Sequence, residues 1–418
     1  MVNSEIYYNQ LQKKYSRKIT LGLSRIQKAL SLLGNPHLTL KQPCNILGSD
    51  GKFSCLTSLK YFIEANGQST TTFISPHLYD LRSRIWLKNR YISLKEIKKY
   101  EKQISKLKIK LSLFEVLTLI YVLAAAKSKS SYNLLESGLL FKKDSSNLFK
   151  KPLFQACTNI NKQHLEWISP KTINEICKQK VGYLSNQTHI YIGKQNPKTL
   201  KIIRGILNKN KSIISYPSNW KIINKKQGLF YKDSKYTINI RSNYIHSKGL
   251  IENLGLAIKV ALDLNIKPSI IEKTIPKIFF EGRLQYIKKG KLRNYVHQNE
   301  KILLDGAHSN ASGRNLYDYL KTLKQPIYCI WGMQKNKFPK DFLKNFKGIF
   351  KKVVTVKIPN EKNACSAENL KSIAVKQKYS AEKASNYKEA LEKITSNKPK
   401  VICFLGSLYF IGSVLKEN

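Results

Sequence analysis

A chain of 418 residues, 42% of them hydrophobic, can form two globular domains, because a single core stops growing at about 250–300 residues. The 74 lysines and arginines against 26 aspartates and glutamates give a formal net charge of +48, but these cations are spread over almost every segment instead of being clustered. That spread argues against a dedicated nucleic-acid partner and favours a compositional bias, although the positive field would still attract anionic substrates.

The first half of the chain alternates between predicted strands and helices. "SRIQKALSLLG" predicts a helix that ends at Gly34, and "PCNILGSDGK" predicts a short buried strand that runs into a glycine turn. The next predictions are a helix, a strand, a Lys-rich polar helix, a buried helix and a strand, for "FSCLTSLKYFIEANG", "TTTFISPHL", "SLKEIKKYEKQISKLKIK", "LSLFEVLTLIYVLAAAK" and "SYNLLESGL". This alternation is typical of an α/β domain with a mainly parallel sheet.

The second half contains a less regular region followed by a new series of strands and helices. Residues 185–245 show only two predicted strands, "HIYIGKQ" and "SIISYP", and "IHSKGLIENLGLAIKVALDLN" then predicts a helix. After "FFEGRLQYIKKGKLRNY" the pattern restarts with the strands "KILLDGAH", "PIYCIWGM", "KVVTVKIP" and "VICFLGS", separated by helices. We therefore predict one α/β domain over residues 1–286 and a second, smaller α/β domain over residues 287–418.

Cysteine usage and the apolar stretches bear on the location of the protein. The seven cysteines form no CxxC pair and no metal-ligand spacing, which is typical of a reducing compartment. The N-terminus has no apolar signal region, and the two most apolar stretches are shorter than the roughly 20 residues of a membrane span. These features predict a soluble, cytoplasmic protein without a membrane partner.

The loop "GSDGKFS" combines glycines, a lysine and a hydroxyl residue between a strand and a helix. Backbone N–H groups and the positive helix end would converge there on an anion, Lys52 would neutralise phosphate, and Ser54 could hold Mg²⁺. Phe53 stands where a tight phosphate loop favours a small side chain. The motif alone is weak evidence for a nucleotide site.

Several short motifs, in order along almost the whole chain, strengthen that interpretation. "LGNPH", "GSDGKFS", "SPHLYDLRSRI", "LLESGLLFKKDSSN", "NINKQHLEW", "EICKQKVG", "IENLGLAI", "EGRLQ", "LLDGAHSN" and "FLGSLYFIG" follow one another from about residue 20 to 415. Together they resemble the dihydrofolate synthase/folylpolyglutamate synthase family of the Mur ligase superfamily. The resemblance implies a P-loop Mur-ligase-type ATPase domain over residues 1–286 and a smaller Rossmann-like α/β domain over residues 287–418. It also implies an ATP- and Mg²⁺-dependent ligase that phosphorylates a folate carboxylate and then joins L-glutamate to the acyl phosphate.

The resemblance also assigns roles to individual residues. It implies catalytic roles for Lys52, His164 and Lys180, and two Mg²⁺ sites held by Ser54, Glu136, His164 and Lys180, the last as a carbamate. The ATP-binding residues would be Gly48, Ser49, Asp50, Gly51, Lys52, Phe53, Ser54, Asn253, Arg283 and Asp305. The residues that bind dihydropteroate, reduced folate or glutamate would be Ser75, Pro76, His77, Arg84, His308 and Ser407. The chain would act on these small molecules as a monomer.

The chain departs from the family pattern at several positions, and other functions stay open. "ESGLLFKKDSSN" lacks a glycine pair and an arginine of the family motif, Gln179 replaces a glutamate, and the spacing from His164 to Lys180 is one residue longer. One alternative is a Mur-type ligase with another acceptor. The other is a degenerate homologue that binds nucleotide or nucleic acid without ligating anything.

Overall fold

The computed structural model describes residues 4–16, 21–225, 227–242 and 247–418. The chain divides into two compact units. The first contains the residues up to 242 together with 250–278, and the second contains residues 279–418 with the few residues before 250.

The first unit is built around an eight-stranded sheet. Its helices are α1 (Ser4–Lys14), α2 (Ser24–Leu32), α3 (Lys52–Ala65), α4 (Leu94–Ser105), α5 (Leu113–Ser128), α6 (Ile173–Val181), α7 (Pro197–Leu207), α8 (Lys248–Asp263) and α9 (Pro268–Thr274). Its strands are β1 (Pro43–Leu47), β2 (Thr70–Phe73), β3 (Ile85–Leu87), β4 (Arg90–Tyr91), β5 (Tyr132–Glu136), β6 (Phe154–Cys157), β7 (His189–Ile192), β8 (Ile213–Ser215), β9 (Trp220–Lys225), β10 (Gly228–Asp233) and β11 (Thr237–Ile240).

The strand order of the large sheet places β1 at its centre. The order is β4-β3-β2-β5-β1-β6-β7-β8, and all neighbours are parallel except β2–β3 and β3–β4. The predicted mainly parallel sheet is therefore confirmed. Because parallel strands end at the same edge, the loops after β1, β5 and β6 lie side by side.

Buried helices fix the two faces of this sheet. Helix α5 is apolar almost all round, and a capping box of Ser112 and Glu115 fixes its first turn. It packs with α1, α2 and α4 into one hydrophobic core against β2, β3 and β5. A second core joins α6 and α7 to the ends of β1, β6 and β7.

Strands β9, β10 and β11 form a separate antiparallel sheet that the sequence pattern did not predict in residues 185–245. These strands are short, and most of their residues are partly buried or exposed, so the apolar alternation is weak. Trp220 and Ile222 of β9 pack on α8, where a Cβ on Gly255 would lie 2.5 Å from the indole. The first two residues of the predicted α8 stretch, 245 and 246, lie outside the described residues.

The second unit is a smaller α/β structure. Its strands are β12 (Gln285–Ile287), β13 (Glu300–Leu304), β14 (Ile327–Trp331), β15 (Phe350–Thr355), β16 (Ala381–Lys383) and β17 (Lys400–Leu405), and its helices are α10 (Asn310–Leu320), α11 (Pro339–Leu343), α12 (Ala367–Lys376), α13 (Tyr387–Glu392) and α14 (Leu408–Glu417). The strand order is β12-β13-β17-β14-β15-β16, parallel except for the β12–β13 pair.

The boundary between the two units falls near residue 279, whereas the restart of the strand–helix pattern predicts it near 287. The difference arises because β12 pairs with β13 of the second sheet although it precedes the restart. The functional assignment of residues 1–286 and 287–418 stays a prediction.

All seven cysteines are unpaired and buried. In the described ranges, no helix combines the length and the apolar character that crossing a membrane requires.

Candidate active site

The loop between β1 and α3 needs glycine at two positions. Gly48 has a φ of +139°, and a Cβ there would lie 2.1 Å from the hydroxyl of Thr158. Gly51 has a φ of +86°, and a Cβ there would lie 2.2 Å from the side-chain amide of Asn253. Positive φ and the missing space exclude other side chains at both positions, so the loop can follow its tight path only with glycine.

Lys52 and Ser54 lie at the start of α3 and bond to this loop. The Lys52 ammonium donates to the carbonyls of Gly48, at 3.3 Å, and Ser49, at 3.1 Å. The Ser54 hydroxyl donates to the Gly51 carbonyl at 2.9 Å and accepts from Asn253 Nδ2 at 3.0 Å. No side chain caps the first turn of this 14-residue helix, an arrangement that suits an anionic ligand.

Phe53 does not prevent these contacts. Its side chain is partly buried, while Lys52 and Ser54 on either side of it keep their bonds to the loop. The structure therefore accommodates the bulky residue within an intact phosphate-type loop.

Glu136 ends β5, directly beside β1. Its Cα pairs with that of Ile46 in the sheet, and only 3% of the residue is exposed. The backbone N–H of Ser75 donates to its carboxylate at 3.4 Å, which links the end of β5 to the loop after β2. A buried carboxylate therefore lies on the strand adjacent to the phosphate-type loop.

Lys180 lies on α6, and its side chain contacts the same phosphate-type loop. The residue is 1% exposed, and its amine donates to the carbonyls of Gly48, at 2.9 Å, and Leu139, at 2.7 Å. Burial lowers the pKa of this amine to about 7, with the nearby Lys52 ammonium as a second, smaller cause. A neutral amine retains two N–H groups, enough for both carbonyls.

The depressed pKa of Lys180 predicts a specific dependence of stability on pH. Between about pH 7 and the ordinary lysine pKa of 10.5, the unfolded chain holds a proton here that the folded protein has released. The free energy of unfolding should therefore rise with pH in this window, and the contribution should be lost as pH falls towards about 7.

Between about pH 7 and 10, we expect the free energy of unfolding of the wild type to rise by a few kcal/mol relative to that of Lys180→Met. Urea unfolding of both proteins in CO2-free buffer, in which the amine itself titrates, would measure the difference. Parallel stability curves for the two proteins would contradict the expectation.

The segment after β6 supports the phosphate-type loop. The sequence motifs implied no role for the residues of this segment that precede His164. The Thr158 hydroxyl donates to the carbonyls of Leu47, at 3.1 Å, and Asp50, at 2.7 Å. The side chains of Asn161 and Gln163 donate to the carboxylate of Asp50. The motif "NINKQHLEW" contains Asn161 and Gln163 and directly follows Thr158, but only the strand order shows which loop these residues face.

The predicted ligands of a second metal ion are His164 and Lys180. His164 follows Gln163 on the same segment and is partly exposed, with a left-handed backbone at φ +62°. In the part of the chain that the structure describes, no three His, Cys, Asp or Glu side chains form a metal-binding cluster. The fit to Mg²⁺ therefore rests on the Ser54 hydroxyl and the Glu136 carboxylate, which are the hard oxygen ligands that this ion prefers.

A cation and a neutral histidine occupy the loop after β2. Arg84 is 6% exposed, and its Nε donates to His77 Nδ1 at 2.7 Å. Burial, and then the positive charge of Arg84, hold the pKa of His77 well below its usual value, so the imidazole stays neutral. Tyr8 of α1 completes the group, with its ring 4.6 Å from His77 and 5.6 Å from the Arg84 guanidinium. Ser75 and Pro76, joined by a cis peptide bond, lead into this group.

In the second unit, the predicted residues gather where β13 and β17 end. The carboxylate of Asp305 accepts the backbone N–H of Leu284 at 2.9 Å and of Ala307 at 2.8 Å. Burial raises the pKa of Asp305, and the charge of Arg283 opposes this rise. The Gly406 N–H donates to the Ala307 carbonyl at 3.1 Å, which brings the loop of His308 next to Ser407. Ser407 caps α14 by accepting the N–H of Tyr409 at 3.2 Å.

Comparison with known proteins finds chains that are similar to this one. Residues 288–417 match a family model described as the C-terminal domain of dihydrofolate synthetase. The dihydrofolate synthetase of Saccharomyces cerevisiae is 23% identical over 426 residues, covering 95% of this chain and 98% of its own. The dihydrofolate synthase/folylpolyglutamate synthase of Bacillus subtilis is 23% identical over 430 residues, with 95% and 94% covered.

A solved structure agrees over the full length. The bifunctional folylpolyglutamate synthase/dihydrofolate synthase of Yersinia pestis, complexed with AMPPNP and a Mn ion, superposes with a TM-score of 0.85 at 18% identity, covering 100% of this chain and 98% of that one. This likeness shows that the chain shares the fold of that protein, which here consists of two α/β units with a phosphate-type loop in the first. The two curated relatives and this solved structure carry the names of dihydrofolate synthases and folylpolyglutamate synthases, and the chain is similar to them over more than nine-tenths of its length.

Proposed function

We propose that this protein joins L-glutamate to dihydropteroate, to a reduced folate, or to both, at the expense of ATP. The observation that carries the proposal is the loop of residues 48–54 with Lys52 and Ser54 at the start of α3 and Glu136 on the adjacent strand. The names of the relatives over more than nine-tenths of the chain support the acceptor and the amino acid.

The reaction would proceed in two balanced steps. A carboxylate oxygen of the pterin substrate attacks the γ-phosphorus of ATP, and the bond to ADP breaks. The amine of glutamate then attacks the acyl carbon, phosphate leaves, and the nitrogen releases a proton. Both steps bring anions together, so positioning and positive charge matter more than a strong acid or base.

The residues of the first unit would divide this work. Lys52 and the start of α3 would neutralise the phosphates of ATP, and Ser54 and Glu136 would hold Mg²⁺. The ion would supply charge neutralisation at the phosphate oxygens when bound. Arg84 would attract the carboxylate of the pterin substrate. Its contacts support this role, because the His77 imidazole that accepts from it is neutral and no described carboxylate forms an ion pair with it.

Lys180 of the first unit and several residues of the second unit have further proposed roles. The neutral amine of Lys180 is the form that adds CO2, which supports its proposed conversion to a carbamate that takes part with His164 in a second metal site. In the second unit, Arg283 and Asp305 would contact ATP, and His308 and Ser407 would bind glutamate. We also propose a cytoplasmic monomer, and the seven unpaired, buried cysteines support a reducing location.

The test is phosphate release from Mg·ATP and L-glutamate with dihydropteroate, with tetrahydrofolate and without an acceptor, together with the mass of the product. Acceptor-dependent release and a product heavier by one glutamyl unit would support the proposal and show which acceptor is used. Folded protein that binds Mg·ATP but ligates neither acceptor would overturn it. Salt-sensitive nucleic-acid binding that competes with ATP would favour the degenerate homologue.

A further inference from the structure

The phosphate-type loop contains a carboxylate as well as a lysine. Asp50 lies between Ser49 and Gly51, within the turn that aims N–H groups at an anion. A carboxylate there repels the phosphates of a nucleotide unless its charge is compensated or held away from them. The loop can therefore bind a triphosphate well only if other groups control this side chain.

Two side-chain amides from the segment after β6 bond to this carboxylate. Asn161 Nδ2 donates to Oδ2 at 2.7 Å, and Gln163 Nε2 donates to Oδ1 at 3.1 Å and to Oδ2 at 3.0 Å. Both oxygens of Asp50 thus accept hydrogen bonds from one neighbouring segment. Neutral amides stabilise the carboxylate without adding a charge that would compete with Lys52 for phosphate.

The backbone holds this segment against the loop. The Asn159 carbonyl accepts the N–H of Ser49 at 2.7 Å, and the Asn161 N–H donates to the Ser49 hydroxyl at 3.1 Å. The Thr158 hydroxyl also donates to the carbonyl of Asp50 itself. The amides are therefore fixed in position, because Thr158 directly follows β6, the sheet neighbour of β1.

We propose that Asn161 and Gln163 are positioning residues for nucleotide binding, which hold the Asp50 carboxylate on the side of residues 159–163 and out of the phosphate path. The proposal rests on the proposed ATP-binding function and adds residues to it. An alternative role for Asp50 is that of a direct ligand of Mg²⁺. In that case removal of the carboxylate would weaken nucleotide binding. Under the present proposal, removal of the carboxylate makes the two amides dispensable.

The test compares the affinity of the full-length protein for Mg·ATP by titration calorimetry in a double-mutant cycle. Replacement of both amides, Asn161→Ala with Gln163→Ala, should weaken binding by about tenfold or more, because the carboxylate is left without its donors. Asp50→Asn alone should raise the affinity, because it removes the negative charge that opposes the phosphates. In the Asp50→Asn background, the loss of both amides should cost less than about threefold.

A second variant changes the size of the side chain less, so that a loss of binding can be separated from misfolding. Gln163→Glu is nearly isosteric and places a second carboxylate against Asp50, so Mg·ATP binding should weaken by about tenfold or more. Asp50→Asn should restore it, because the new amide can donate to the carboxylate introduced by Gln163→Glu. Gln187→Glu, on an exposed loop at the opposite end of the sheet, adds the same charge and should leave the affinity unchanged.

Two outcomes would overturn the proposal. One is that removal of the two amides lowers the affinity for Mg·ATP equally in the wild-type and the Asp50→Asn backgrounds. This result would indicate a purely structural role for the amides. The other is a loss of about tenfold or more from Asp50→Asn alone, which would assign the carboxylate to the metal. A wild type that does not bind Mg·ATP would instead contradict the proposed function, so the two failures can be told apart.

Discussion

Lys52→Ala is expected to lower the rate of ATP-dependent ligation by about 10²–10³-fold, the usual cost of removing one fixed electrostatic contact to a reacting group. Lys52 begins α3, and its ammonium lies within 3.3 Å of two carbonyls of the phosphate-type loop. When the nucleotide is bound, the same flexible cation would turn to the transferred phosphoryl group. Steady-state phosphate release with acceptor and glutamate at saturation measures the effect.

The matched control for this variant is Lys41→Ala. Lys41 is an exposed lysine just before β1, at the end of the strand opposite the phosphate-type loop. Its replacement lowers the net charge by the same amount, so the control separates a local effect from the general positive field. Equal turnover of the wild type and Lys52→Ala would remove this loop from the mechanism.

Glu136→Gln is expected to lower turnover by about 10²-fold or more and to raise the Mg²⁺ concentration needed for half-maximal rate. The substitution keeps the size and an oxygen acceptor for the Ser75 N–H, but it removes the negative charge that would hold the ion. Because the residue is 3% exposed on β5, the fold should tolerate only such a nearly isosteric change. Rates measured over a series of Mg²⁺ concentrations test the expectation.

The control is Glu392→Gln on the surface of α13 in the second unit. It should reproduce the Mg²⁺ dependence of the wild type. If Glu136→Gln lowered thermal stability but left the Mg²⁺ dependence unchanged, the carboxylate would be structural, and the role proposed for it would fail.

Features that depend on neighbours in the chain could be predicted from the sequence. The strand, glycine turn, lysine and hydroxyl of residues 43–54 are contiguous, and the structure forms β1, the loop and α3 from them. The buried helix α5 is also local, because its apolar run and its capping box lie in one stretch. The parallel sheet followed from the alternation of such elements.

Features that depend on strand order needed the tertiary structure. Asp50 and Gln163 are 113 positions apart, and they meet only because β6 lies beside β1 in the sheet. Lys180 donates to a carbonyl 132 positions away, because α6 packs in the core at the ends of β1 and β6. The antiparallel sheet of β9–β11 was not predicted because apolar and polar residues alternate only weakly along its short strands.

The sequence by itself therefore determined the phosphate-type loop, the α/β class and, through its ordered motifs, a resemblance to one family. Only the tertiary structure decided which side chains surround the loop, that Lys180 is buried beneath it and that His77 stays neutral beside Arg84. The physical reason is that local signals fix backbone conformation within a few residues, whereas burial and charge at the site arise from contacts between segments that the order of the strands brings together.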